Sequence, residues 1–374
     1  MDMFLPAVPE IARAFGTEPA AAQRAVTGYL IGVAAGQLAW GPISDRYGRK
    51  PVLLAGLALF LASSAAGAAA ASVNEVALLR CAQGVGIASG PVVARSVVRD
   101  LYAREQAAHL LSRMMMVFGL VPVLAPLLGA QLLAWGGWTL VFWTYAAIAL
   151  GLLLMVAGGL AETAPPERPA VSPARLLASY RLLLGDRRFF APIATLLCVQ
   201  MGIVAFVSNS SLVMIQVYDL TPAAFGALFS AVMLGHMAGS YTGSRLVHRL
   251  GIARMVRVGT TLVLCAALLL AALSLAGVPH WSALALPMFA YVFGSAFVMP
   301  STTAAALTPF PQIAGAASSL LGMLPFAIGA AVSALLGAAF DGSTRPMALA
   351  IGVCGLLAFA CERMLFSKAG HGPG

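Results

Sequence analysis

Apolar residues in this chain run on for about twenty positions at a time between short polar connections, with little period-two alternation. A helix rises about 1.5 Å per residue, so a run of that length matches a bilayer's hydrocarbon core of about 30 Å. Such runs fall near 21–43, 51–71, 75–98, 108–134, 138–161, 189–215, 223–247, 255–277, 282–305, 312–339 and 345–366, which predicts eleven spans. Lipid offers the backbone no hydrogen-bond partner, so a span is a helix or part of a closed barrel, and unbroken apolar runs select helices. The stretch before Gly16 is apolar but too short to cross alone. The expected class is an all-α membrane protein.

Composition agrees. Charged residues make up 9% and hydrophobic residues 60% of 374 positions, with a mean hydropathy of +0.91, whereas a soluble domain carries about 25% charged residues. The net charge of +9 would suit a nucleic-acid partner if it formed one patch, but it lies in short loops. One set of alternate connections holds sixteen basic residues, from Arg46, Arg49 and Lys50 through Arg99, Arg104, Arg168, Arg175, Arg181, Arg187, Arg188, Arg245, Arg249, Arg254 and Arg257 to Arg363 and Lys368. The other set holds three, Arg13, Arg24 and Arg345. By the positive-inside rule the first set, and with it the C-terminus, is expected in the cytoplasm. Trp135, Trp138 and Trp281 stand beside loops of the opposite face, where an aromatic belt is expected. The five cysteines are scattered singly without a CxxC, so no metal site, disulfide or cofactor is expected. No cleavable signal peptide is expected, because Asp2 and Glu10 precede the first basic residue, Arg13.

The chain also resembles itself. At an offset of 203, Pro19, Ala20, Ala21, Gly32, Ala35, Gly36, Arg46 and Gly48 meet Pro222, Ala223, Ala224, Gly235, Ala238, Gly239, Arg249 and Gly251, eight identities in thirty positions. Each stretch carries a GxxxG pair, where helices approach closely in lipid, and ends in a basic turn. The expected organisation is an N-terminal helix bundle over 1–161, a cytoplasmic linker over 162–188 with a short basic amphipathic helix in its second part, and a C-terminal bundle over 189–367. Projected through the repeat, the first helix is expected to be truncated at its cytoplasmic half.

Ionisable residues inside lipid are functional candidates by default. Asp2, in a completed first helix, would lie near the midplane, where burial favours a carboxyl's neutral form and suits it to take and release a proton. Arg80, inside the span 75–98, needs a partner; Asp2 and Gln83 are candidates, and snorkelling to the interface is the alternative. His236 reads as a packed histidine more readily than a second proton site, Met114, Met115 and Met116 as ordinary contact more readily than a yielding cavity wall, and Arg95 and Arg113 as reaching the cytoplasmic interface. In the loop GPISDRYGRKP, Gly41 and Gly48 permit close approach and a sharp turn, Asp45 suits a helix N-terminus, and Arg46, Arg49 and Lys50 hold the loop in the cytoplasm.

That loop resembles the signature between the second and third helices of the major facilitator superfamily. The resemblance implies two six-helix bundles, with Asp45 facing the eleventh helix near Gln312 and Arg49 paired with Asp100 as a conformational latch. Other segments resemble the drug:proton antiporters of the Bcr/CflA type. DMFLPAVPEIA is similar to their first-helix motif, with Asp2 at its acidic position; LLRCAQGVGIASG is similar to the fourth-helix motif through Arg80 and Gln83; and VPVLAPLLGA resembles the antiporter helix through Pro126 and Gly129. Val121, Ala125 and Ala130 depart from that pattern, and Pro325 stands where a glutamine would be expected.

The resemblance implies proton-coupled efflux of small amphipathic drugs or metabolites across a bacterial inner membrane by alternating access. The partners are then a small-molecule substrate, protons and the lipid bilayer, with no nucleic acid and a monomeric state. A facilitator-type importer on the same fold, or a non-transporting receptor or scaffold, are the alternatives. An enzyme is disfavoured, since no HExxH, GxSxG or paired intramembrane carboxylates occur.

Overall fold

A computed structural model describes residues 1–102, 104–164 and 173–366. Its described elements are helical: α1 (Val8–Ala14, led in by a tighter 3-10 turn, Asp2–Ala7), α2 (Pro19–Tyr47), α3 (Arg49–Ala68), α4 (Val73–Leu101), α5 (Arg104–Gly159), α6 (Pro173–Gly185), α7 (Arg187–Leu212), α8 (Pro222–Leu275), α9 (Ser282–Leu307), α10 (Ala314–Ala338) and α11 (Arg345–Cys361). Two of these are double spans. The backbone of α5 leaves the helical region at Gly136 and at Gly137 (φ 68°), and α8 breaks at Gly251 (φ 74°), as the predicted gaps at 134–138 and 247–255 require. Glu10 stabilises the first break, its carboxylate accepting from the Trp138 backbone N–H at 3.3 Å.

Eight helical stretches are long and apolar enough to cross a membrane, including both broken ones. α2 falls outside that set; it carries the polar residues Gln23, Gln37 and Ser44, all buried. Counting each broken run as two and adding α2 recovers the eleven expected spans.

The chain divides into two compact units, Met1–Leu176 with Gly322–Ala334, and Leu177–Leu321 with Leu335–Gly374. Both are built on one packing scheme. In the first, a Cβ on Gly32 would run into the Cys81 carbonyl of α4, and one on Gly36 into the Ala88 Cβ. In the second, Gly235 and Gly239 meet the Phe289 carbonyl and the Ala296 Cβ of α9 in the same way. Gly56 of α3 and Gly86 of α4 each face the other's carbonyl, and Gly259 and Gly294 repeat that pair. In lipid, helices gain little from hydrophobic burial, so contact at glycine is what lets the backbones meet.

α6 is the helix expected in the linker; Leu183 is buried, while Leu177, Arg181, Leu182 and Leu184 are exposed. The linker's proline-rich beginning at 165–172, Arg168 and Lys368 lie outside the described residues, as do the side chains of Arg104, Met115, Met116 and Arg175. The cysteines are free thiols but not all isolated: Cys198 of α7 and Cys361 of α11 come within hydrogen-bonding reach, which their separation along the chain hides.

Candidate functional site

The Ser72 side chain accepts from the Glu75 backbone N–H and starts α4, which carries Arg80 into the first unit. There Arg80 is fully buried, at 0% exposure, so the snorkelling alternative fails. Its Nη1 donates to Gln83 Oε1 at 2.8 Å, and Gln83 Nε2 donates in turn to Ser64 Oγ on α3 at 2.8 Å. The guanidinium carbon sits 4.2 Å from the Phe4 ring centroid and 4.3 Å from that of Tyr29, with the Tyr145 ring at 5.9 Å. Nε and Nη2 find no hydrogen-bond acceptor among the described residues, and the nearby Tyr145 hydroxyl does not meet bonding geometry. No described carboxylate lies within ion-pair distance, so the Asp2 pairing considered for Arg80 is absent here. Aromatic faces, whose quadrupoles attract a cation by up to about 2 kcal/mol when water is excluded, stand where a counter-ion would.

Asp2 opens the 3-10 turn that leads into α1 and stays partly accessible, while Met3 to Ala7 are buried. Gly129 of α5 seats this turn, since a Cβ there would overlap the Met3 carbonyl; Pro126, one turn earlier, is also buried. Asp2 and Arg80 are close enough to interact through space although not bonded.

At the basic end of the same unit, Arg49 opens α3. Its Nε donates to Asp100 Oδ2 at 3.0 Å, and its Nη1 donates to Asp45 Oδ1 at 2.5 Å and to Ser44 Oγ at 2.9 Å. Burial works against its charge, but the hydrogen bonds it donates to Asp45 and Asp100, with the charges of those carboxylates, outweigh it and raise the guanidinium above its ordinary range. Glu162, beyond the end of α5, accepts from the backbone N–H groups of Arg49 at 2.8 Å and Lys50 at 3.3 Å, while Lys50 Nζ donates to the Ala157 carbonyl at 2.7 Å. Partial burial pushes the Glu162 carboxyl up, and the N–H groups of Ala164, Arg49, Lys50 and Thr163 together bring it below its usual value. Gly48 (φ 105°) makes the turn, and a Cβ there would overlap the Glu162 carboxylate.

Several expectations need correction. Asp45 lies in the last turn of α2, not at a helix N-terminus, because the helix continues to Tyr47; Arg49 offsets the unfavourable dipole of that end. Gly41 is helical, and a Cβ there would meet nothing within 4 Å among the described residues. Arg95 does not simply reach outward: Nε donates to the Pro91 carbonyl at 2.9 Å and Nη2 to Gln37 Oε1 at 3.4 Å. Arg46 is exposed and lies over the Tyr47 ring. His236 packs against Ser295 of α9 at 3.4 Å.

The first unit also holds a cavity of about 450 Å³, lined chiefly by apolar side chains, among them Val33, Ile87, Leu152 and Phe326, with Tyr29 and Gln37 as its polar members. Sequence reading missed Phe4, Tyr29, Ser64, Tyr145 and Gln37, because such residues in an apolar run look like ordinary core. It also missed Glu162, which did carry a signal as the first acid after the fifth span.

Repeated helical halves, apolar spans, a cavity of about 450 Å³ and a fully buried arginine define the class as a multi-pass helical membrane protein. Residues 1–334 match the Major Facilitator Superfamily. The chain belongs to that superfamily, in its Bcr/CflA-type branch of drug exporters. It is 31% identical over 376 residues to Multidrug resistance protein D of Escherichia coli, covering 99% of this chain and 92% of that protein. It is 27% identical over 369 residues to the Bicyclomycin resistance protein homolog of Haemophilus influenzae, with coverage of 98% and 92%. Its fold is similar to that of the xylose transporter XylE from E. coli in a partially occluded inward-open conformation, with a TM-score of 0.73, 15% identity and coverage of 98% and 93%.

Proposed function

We propose that this protein exports small amphipathic drugs or metabolites across a bacterial inner membrane in exchange for protons, with its basic end and C-terminus in the cytoplasm. The observation that carries the reading is Arg80, a permanent charge fully buried without a described carboxylate partner, beside Asp2 and under a drug-sized cavity. In this reading Asp2 takes a proton from outside after substrate has left and loses it inward when the next substrate binds. Arg80, held by Gln83, tunes that exchange, and the Pro126–Gly129 stretch of α5 seats the helix that carries Asp2. Coupling requires proton and substrate to favour different states, since a ligand with equal affinity for both shifts nothing.

Arg49, with Asp45, Asp100 and Glu162 around it, serves as the latch that biases the conformational equilibrium, with Gly48 giving Glu162 access. The relatives' names, multidrug and bicyclomycin resistance, support drugs as cargo. The reading is tested by resistance of cells expressing the protein or Asp2→Asn to a panel of bicyclomycin, chloramphenicol and ethidium, with and without a protonophore. Resistance to at least one drug, lost on Asp2→Asn and on adding the protonophore, is expected; equal susceptibility across all arms would remove the antiport model.

A further inference from the structure

We infer that Tyr29 is the positioning residue through which drug in the first unit's cavity drives the proton off Asp2. The inference rests on the antiport reading above and identifies the relay inside it.

Two observations meet in this side chain. Tyr29 lies 4.3 Å from the Arg80 guanidinium, and it lines the cavity of about 450 Å³. The other rings at Arg80, Phe4 and Tyr145, are not part of the cavity wall, and neither is Gln83. Anything that fills the cavity therefore touches the cation's surroundings through Tyr29.

The titratable and charged groups that face Arg80 are Asp2 and the Met1 amino group from the first helix, Tyr29 from α2 and Tyr145 from α5. Asp2 is the one carboxylate in that set. With both rings in place, Arg80 keeps its charge without an anion, and Asp2 is free to hold a proton. A drug that draws the Tyr29 ring towards itself strips one face from the guanidinium. The cation is then best satisfied by an anion, and Asp2 becomes one by giving its proton to water. Drug and proton so exclude each other without touching, which is the differential affinity that exchange needs.

The test uses the purified full-length protein in detergent, in weak buffer with a pH indicator. The probe is the drug from the panel above that gives the largest resistance, with bicyclomycin tried first. Wild-type protein is expected to release protons on drug addition and to bind drug about tenfold more tightly in mildly alkaline than in mildly acidic buffer. Tyr29→Phe, which keeps the ring face, retains both behaviours. Tyr29→Leu binds drug with affinities that agree within about twofold in the two buffers, and releases no protons. Val156→Ala, on the cavity wall and not among the groups at Arg80, changes drug affinity by the same factor in both buffers and keeps the drug-linked proton release.

Wild-type proton release from Tyr29→Leu overturns the inference, and so does identical loss in Tyr29→Leu and Val156→Ala, which would mark general damage to the cavity. If Tyr29→Leu is not recovered as a folded, monodisperse protein, Tyr29→Met is judged by the same criteria. Wild-type protein that binds drug and releases no proton would instead sink the antiport reading itself.

Discussion

The Glu162 carboxylate accepts a hydrogen bond from the Arg49 backbone N–H at 2.8 Å, so a residue beyond the end of α5 holds the first turn of α3. It acts as a cap supplied from a distant part of the chain, since it also takes the Lys50 N–H. Removing a capping side chain costs about 0.5–2 kcal/mol, and the exposure of Glu162 argues for the lower end. Glu162→Gln is therefore expected to lower the melting temperature by a few degrees in a thiol-reactive dye assay. Because the folded carboxyl titrates below its ordinary value of 4.5, its contribution is fully present above that pH and fades as pH falls through the folded value. The stability difference between wild type and Glu162→Gln should shrink on acidification through that window; a constant difference would count against the cap.

Arg49 joins two carboxylates, so its loss is worse than the loss of either. Arg49→Ala leaves Asp45 and Asp100 facing one another's charge, while Asp45→Asn or Asp100→Asn leaves Arg49 with one acid. If the cluster is a latch, Arg49→Ala shifts the conformational balance by about 1–3 kcal/mol and lowers drug resistance more than either single acid variant at matched expression. Equal effects of all three variants would count against Arg49 as the hub that joins the two acids.

Gln83 bonds a charged partner and Ser64 only a neutral one. Gln83→Ala leaves Arg80 Nη1 buried and unpaired, which costs about 1–3 kcal/mol; Ser64→Ala removes the weaker Gln83 bond and should cost about half as much. Arg80→Lys is expected to reduce transport as severely as Arg80→Ala, because an ammonium reproduces neither the planar stacking on Phe4 and Tyr29 nor the fork that reaches Gln83. Paired melting curves and resistance assays decide both statements.

The glycine scheme predicts matched damage in the two halves. Gly32→Ala and Gly235→Ala each place a Cβ against a neighbouring carbonyl and should destabilise by about 1–3 kcal/mol. Gly41→Ala meets open space within a helix and should be neutral or stabilising by about 0.5–1 kcal/mol in the same melting assay. Similar melting temperatures for all three variants would show that the shared packing contributes little.

Much of the fold was legible in the sequence. Span number and helix class follow from local apolar runs, because transfer into lipid acts on each run separately. The repeat was visible because Gly32, Gly36, Gly235 and Gly239 keep their offset, and the backbones they bring together need that residue. Of the candidate site, Arg80 and the charged loop stood out as ionisable groups in an apolar chain. Phe4, Tyr29 and Tyr145 did not, since an aromatic residue that cages a cation has the same hydropathy as one that meets only leucine.

The sequence by itself determined an all-helical membrane protein with duplicated halves, and it marked the charges that need an explanation. Only the tertiary structure decided how those charges are satisfied: Arg80 by rings and Gln83, and Arg49 by two acids, with a distant glutamate on its backbone. The reason is physical. Insertion into lipid depends on the composition of one continuous stretch, whereas the partner of a buried charge depends on distances of a few ångströms between residues on helices far apart in the chain.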